Sequence, residues 1–264
     1  MFAAIADFAR LARAGFVLAR EGALAPVDPR ALPPGPSLAI RLLRLIEKTP
    51  VADQAVRLSA ALNRLGPSYV KLGQFLATRP DIVGTRLALD LERLRDRLPP
   101  FPRSQAERIV QQELGQPLSA LFDGFGEPVA AASIAQVHRA RIRGEGPARN
   151  VAVKVLRPGV ERRFAKDLRS FYRAARLLEW FDPRSRRLRP VAVVDTLARW
   201  VSLEMDLRLE AAAIAEMAEN TAEDPGFRTP RVDWTRTARR VLVIEWIDGI
   251  SLGEPERIAA AATI

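Results

Sequence analysis

The stretch NVAVKVLRPG, residues 150–159, sets one lysine among valines and ends on Arg-Pro-Gly. Val151, Val153 and Val155 alternate with Ala152 and Lys154, the two-residue period of a β-strand. Pro158 and Gly159 end the strand, because neither suits a ladder interior. Alternation puts Lys154 on the face of Ala152, which is expected to look towards an interior. The residue type matters because only Lys48, Lys71, Lys154 and Lys166 share the 41 basic positions with arginine. A compact ammonium on a flexible stem suits a phosphate. Taken alone, the stretch equally describes a strand-end lysine reaching solvent.

Working outwards, EPVA and AQVHRARIRG precede it as further β-prone pieces, with Gly144, Gly146 and Pro147 supplying a turn. Downstream, helical patterns occupy residues 160–181 and 190–220, and after the turn EDPGF two more strands are expected at 231–234 and 240–246. Upstream, Ser104 followed by Glu107 has the form of a capping box and predicts a helix to about residue 114. The break LPPFPRS stands before it, then a helical region over 38–97, then the Pro-rich linker APVDPRALPPGPS over 25–37. Residues 1–24 mix Phe2, Ile5, Phe8 and Phe16 with Arg10, Arg13 and Arg20, the pattern of an amphipathic helix that docks on the protein or lies on a membrane surface. The fold class is therefore α+β: helices, three strands, two helices, two strands, which is the order of a protein-kinase small lobe with a helical extension in front.

Composition removes several chemistries. There is no cysteine, hence no disulfide and no thiolate metal site, and His138 is the one histidine, too little for a Ser-His or Cys-His arrangement. No run of about 18 apolar residues occurs. No G-x-x-x-x-G-K-[ST] is present, and Gly124 and Gly126 make half a dinucleotide fingerprint whose third site is Val129 after Pro128. The net charge of +10 favours anionic lipid, phosphorylated ligands or nucleic acid, but no basic-aromatic interleaving supports nucleic acid.

Two helical stretches carry odd residues. In YVKLGQFLATRPD, residues 69–81, Lys71 and Gln74 join Ser68 and Thr78 in one polar stripe beside Tyr69, Leu72 and Leu76, with Pro67 starting the helix and Pro80 stopping it. Gly73 costs about 1 kcal/mol of helix propensity relative to Ala, which points to a close approach by a backbone or ligand. In SLEMDLRLEAAAIAEMAEN, read as one helix, Asp206 and Glu210 share a face and Glu204 points away from Glu210. One helix thus offers Glu210 to Lys154 and Glu204 to another cation, although solvated acidic residues would read the same.

KLGQ, AAASIAQVH, VAVKVLRPGV, EMD followed by Glu210, and VLVIEWIDG together resemble the UbiB, or aarF-domain, family of atypical protein-kinase-like proteins over residues 63–253. The resemblance implies that Lys154 meets nucleotide phosphates and Glu210 holds it. It implies that Ala130, Ala131, Ala132, Ser133, Ile134, Ala135 and Gln136 form an Ala-rich loop in place of a Gly-rich one. Glu245 and Ile247 match the hinge whose backbone meets the adenine. Lys71 and Gln74 match KxGQ, on an extension folded over the nucleotide site, and Glu204 and Asp206 match ExD. On that basis Lys71 is expected near Glu204 and Asp206.

The family binds ATP or ADP with Mg as an ATPase or unorthodox kinase. It supports ubiquinone biosynthesis with partner proteins at the periphery of the cytoplasmic inner membrane, and has often been labelled a 2-polyprenylphenol hydroxylase. The expected domains are the first helix (1–24), the linker (25–37), an extension carrying KxGQ (38–103) and a small lobe through the hinge (104–264). A catalytic Asp, a metal-binding Asn and a second metal-binding Asp belong to the large helical lobe, yet the last Asn here is Asn220 and the last Asp is Asp248. The chain is therefore expected to stop before that lobe and to lack phosphoryl transfer by itself; a short, non-catalytic membrane- or partner-binding module is the alternative.

Overall fold

A computed structural model describes residues 2–24, 34–47, 53–92, 94, 98–142, 149–250 and 254–261. Most of the Pro-rich linker and the turn with Gly144, Gly146 and Pro147 lie outside the described residues. In chain order the elements are α1 (Phe2–Arg20), α2 (Pro34–Arg44), α3 (Gln54–Leu65), α4 (Pro67–Ala77), α5 (Pro80–Val83), α6 (Thr85–Glu92), α7 (Arg103–Leu114), α8 (Leu118–Leu121), β1 (Phe122–Ala131), β2 (Ala135–Ile142) and β3 (Arg149–Leu156). They continue with α9 (Val160–Phe181), α10 (Pro190–Glu204), α11 (Leu207–Asn220), β4 (Val241–Glu245) and α12 (Pro255–Ala261). The class is α+β, as the sequence predicts: one four-stranded sheet ordered β1-β2-β3-β4 among helices.

Two compact units emerge, and neither is continuous in sequence. One comprises Met1–Ala106, Ala130–Gln136 and Leu156–Asp206; the other Glu107–Val129, Val137–Val155 and Leu207–Ile264.

In the first unit α4 is the central element. Gly66, at φ +105, turns the chain from α3 into α4, and Pro67 at the first helical turn accepts the missing N–H without loss. A side chain at Gly66 would meet the Arg163 guanidinium, which donates to the Leu65 carbonyl at 2.8 Å. Tyr69, Val70, Gly73 and Phe75 are buried, and so are Ser68 and Lys71, so α4 packs around most of its circumference. Gly73 is small because Leu62, Leu91 and Leu94 press on it: an added Cβ would lie 2.7 Å from Leu62 and 2.8 Å from Leu94. The close approach inferred from the sequence is thus made by core leucines.

α9 buries Val160, Phe164, Asp167, Phe171 and Ala175, a stripe at three- and four-residue steps. Asp167 is tolerated there because the Ser68 hydroxyl donates to it at 2.6 Å. Tyr69 meets Phe171 edge to face, centroids 5.0 Å apart. Burial, and next the Asp167 charge, push the Tyr69 phenol up to about 12, against a smaller pull from Arg13, Arg10 and Arg163. An unfolded tyrosine ionises near 10, so the stability this phenol carries is complete below that pH and drains away between about 10 and 12, by about 3 kcal/mol. Denaturant titrations at stepped alkaline pH should show that loss in the parent chain and its absence in Tyr69→Phe.

The sheet unit follows a simpler logic. Val151, Val153 and Val155 form the fully buried face of β3, paired antiparallel with Glu245, Val243 and Val241 of β4. Ala152 and Lys154 occupy the other face and are half-buried, so Lys154 does not point into the core as alternation alone implied. The predicted strand over 231–234 reduces to one bridge, Val232 to Ile244. There the Asp233 carboxylate caps a turn, accepting from the Thr235 hydroxyl at 2.7 Å and the Arg236 N–H at 3.2 Å, and this local bonding displaces the ladder. Ser104 is likewise not the cap expected of it: α7 starts at Arg103, and the Pro102 carbonyl accepts from the Gln105 and Ala106 N–H groups.

Candidate functional site

Lys154 stands opposite Leu242 in the β3–β4 ladder, which fixes the root of its side chain. Its ammonium donates to both carboxylate oxygens of Glu210, at 2.8 and 2.7 Å. Glu210 lies in the first turn of α11, where the helix dipole also favours an anion. Both side chains are partly exposed, and such pairs contribute at most about 1 kcal/mol. The contact therefore does little for stability, and its consequence is positional: the ammonium is held at one place with a donor to spare.

At the end of β4, the Glu245 N–H donates to the Arg231 carbonyl at 2.8 Å, its carboxylate accepts from Arg228 and from the Arg231 N–H, and the Trp246 N–H donates to Asn150 at 3.2 Å. Glu245 is thus tied to 228–231, while Ile247 is exposed just beyond.

The second pair lies in the other unit. Lys71 of α4, 7% exposed, places its Nζ 2.7 Å from Oε2 of Glu204, the last residue of α10, and 5.1 Å from the Trp200 ring centroid. Gln74 is half-buried one turn further along α4. Glu204 and Glu210 are not on one helix. The chain breaks at Met205 and Asp206, α11 starts at Leu207, and the Leu207 N–H donates to the Arg239 carbonyl at 2.9 Å. The separation of the two glutamates follows from this break, and the single-helix geometry is corrected.

The Ala-rich stretch closes the hairpin between β1 and β2, with the Ala132 N–H donating to the Ala135 carbonyl at 2.8 Å. Its Gln136 is 1% exposed and spent on the backbone of Phe101: the Phe101 N–H donates to Oε1 at 2.9 Å, and Nε2 donates to the Phe101 carbonyl at 3.2 Å. Arg157 completes the clamp, donating to the carbonyls of Ala132 and Pro99, each at 2.9 Å. This clamp has no local marker in the sequence, where LPPFPRS reads only as a break. His138, fully buried, stacks on Phe125 and bonds the Gly126 carbonyl through Nδ1 at 2.9 Å, a core role.

A family model described as the ABC1 atypical kinase-like domain matches residues 93–263. The chain belongs to the UbiB/aarF family. Among its relatives, a protein named "Probable protein kinase UbiB" from Marinobacter nauticus is 41% identical over 206 residues, covering 78% of this chain and 37% of that one. One of the same name from Aeromonas salmonicida is 36% identical over 259 residues, covering 97% of this chain and 47% of that one. The chain thus spans less than half the length of these UbiB relatives. Among the described residues no group of three or more His, Asp or Glu side chains is placed to hold a metal ion. No described helix is long and apolar enough to cross a membrane.

Proposed function

We propose that the chain is the nucleotide-receiving part of a UbiB-type atypical kinase or ATPase, with the Lys154 ammonium on the phosphates, Glu210 holding that ammonium, and the backbone at Glu245 and Ile247 meeting the base. The observation that carries this reading is the two-oxygen grip of Glu210 on Lys154, a weak contact for stability that fixes one point charge. The Ala-rich stretch takes the place of a Gly-rich loop through the backbone of Ala130 to Ala135, on the family resemblance, and Gln136 contributes through the clamp on Phe101. Asp206, Gln74, Lys71 and Glu204 are assigned by the same resemblance to the KxGQ and ExD motifs. The whole protein would act in ubiquinone biosynthesis, peripheral to a membrane, with other proteins of that pathway as partners.

Nucleotide titrations by calorimetry test the reading. Losing a charge-assisted contact to phosphate weakens binding by roughly 10- to 150-fold, so Lys154→Ala should bind ADP and ATP that much more weakly than the parent. Its unfolding free energy should fall by no more than about 1 kcal/mol, because the pair is exposed. Equal affinity in parent and variant, or no detectable binding by the parent, overturns it.

A further inference from the structure

Within the first unit, α1, α9 and α10 line an open cleft of about 700 Å³, inside the range of roughly 300–1,000 Å³ typical of small-ligand sites. Its wall on α9 is a single stripe: Arg169, Arg173, Arg176 and Trp180 follow at steps of four, three and four residues. Asp7 of α1 is buried at the base and is shared by three guanidinium groups, with Arg10 at 3.1 Å, Arg173 at 3.3 Å and Arg169 at 3.9 Å. One carboxylate therefore orients three cations and neutralises one. Arg176 lines the cleft and makes no ion pair among the described residues, whereas Asp195 across from it accepts from the Tyr172 hydroxyl at 2.7 Å. Three guanidinium groups line the cleft against two carboxylates, one of which, Asp7, is also shared with Arg10 outside the lining, and the excess charge calls for an anion.

The rim has the opposite character. Trp180 is 69% exposed and Phe8, whose ring the Arg173 guanidinium covers at 5.2 Å, is 48% exposed. Ile5 and Phe181 extend the apolar surface beyond it on the same unit. A carboxylate-oriented arginine group supplies planar donors for a phosphate, and an exposed indole beside it suits hydrocarbon next to a polar head. A free inorganic anion would leave that rim unused, and an apolar ligand would leave the arginines unanswered.

We propose that this cleft binds a phosphate-bearing amphiphile, headgroup on Arg173 and Arg176 and chain against Phe8 and Trp180. The test uses the whole chain at low ionic strength and three probes: monomeric dihexanoyl phosphatidic acid, inorganic phosphate, and phosphatidylcholine vesicles with or without phosphatidic acid. Arg176→Gln and Trp180→Ala are suitable variants because neither side chain holds the fold together, which unchanged thermal melts will check. The parent should take up the phosphatidic acid, and each variant should do so about tenfold more weakly. Uptake of the monomer alone identifies a soluble ligand, and co-sedimentation with anionic vesicles showing the same sensitivity identifies a bilayer headgroup; both uphold the site. It is overturned if neither form binds, if both variants bind like the parent, or if inorganic phosphate binds as tightly as the amphiphile.

Discussion

Glu204→Ala is expected to destabilise the helical unit by about 3 kcal/mol, and Lys71→Met by clearly less. The asymmetry comes from burial: Lys71 is 7% exposed, whereas the Glu204 side chain is 26% exposed. Removing the carboxylate strands an ammonium in the core with only the Trp200 face, 5.1 Å away, to offset a charge taken out of water. Removing the ammonium leaves a carboxylate whose Oε2 is buried, but on a side chain 26% exposed that can turn towards water. The Oε2 atom contacts Nζ at 2.7 Å yet has no aligned hydrogen-bond donor, so the attraction is a Coulombic one that lapses with either partner. The double variant Lys71→Met with Glu204→Leu, which removes both charges and keeps the volume, should recover most of the loss. Urea unfolding of these three variants, the parent and the single Glu204→Leu, which with Lys71→Met closes the double-mutant cycle, measures this. A Lys71→Met cost equal to that of Glu204→Ala, or no recovery in the double variant, contradicts the account.

The retention of a buried ion pair where a hydrophobic pair would be at least as stable argues for a use beyond folding. Lys71 is one of four lysines in a chain that otherwise uses arginine, and its compact ammonium fits the space between an indole and a carboxylate.

Legibility in the sequence followed how local each determinant was. α9 is legible because its apolar period holds over its whole length, and it runs Val160–Phe181 where roughly 160–181 is expected. The β3 strand and its lysine were legible because a two-residue period needs only a short run of sequence. The break at Met205 and Asp206 was not legible: SLEMDLRLEAAA contains no Gly or Pro, and every residue in it tolerates a helix. What starts α11 anew is the bond from the Leu207 N–H to the Arg239 carbonyl, a partner distant in sequence. The strand predicted at 231–234 failed for the reverse reason, a local Asx cap overriding strand propensity. At the site, the pairing of Lys71 with Glu204 and of Lys154 with Glu210 came from the family pattern, since periodicity placed the glutamates by a helix that does not exist.

Gln136 carries the second large effect, and it sits where sequence pattern and geometry part. By position it belongs to the Ala-rich loop, yet its amide is enclosed and doubly bonded to Phe101. Gln136→Leu keeps the bulk and removes both bonds, leaving a buried N–H and a buried C=O of Phe101 without their partner. At about 1–3 kcal/mol for each unsatisfied group, the expected cost is about 3 kcal/mol. Gln136→Glu should be no better, because it loses the donor to the carbonyl and sets a charge at a site 1% exposed. Hydrogen exchange supplies the local readout: amides of residues 98–106 should lose protection in Gln136→Leu before the rest of the unit does. The Arg157 bonds to Ala132 and Pro99 would remain as the other half of the clamp. An unchanged unfolding free energy in Gln136→Leu would return this glutamine to the loop's ligand-facing residues. A loss of about 3 kcal/mol makes it the reason a Pro-rich segment, unable to hold itself by a full set of backbone N–H groups, stays fastened beneath the turn.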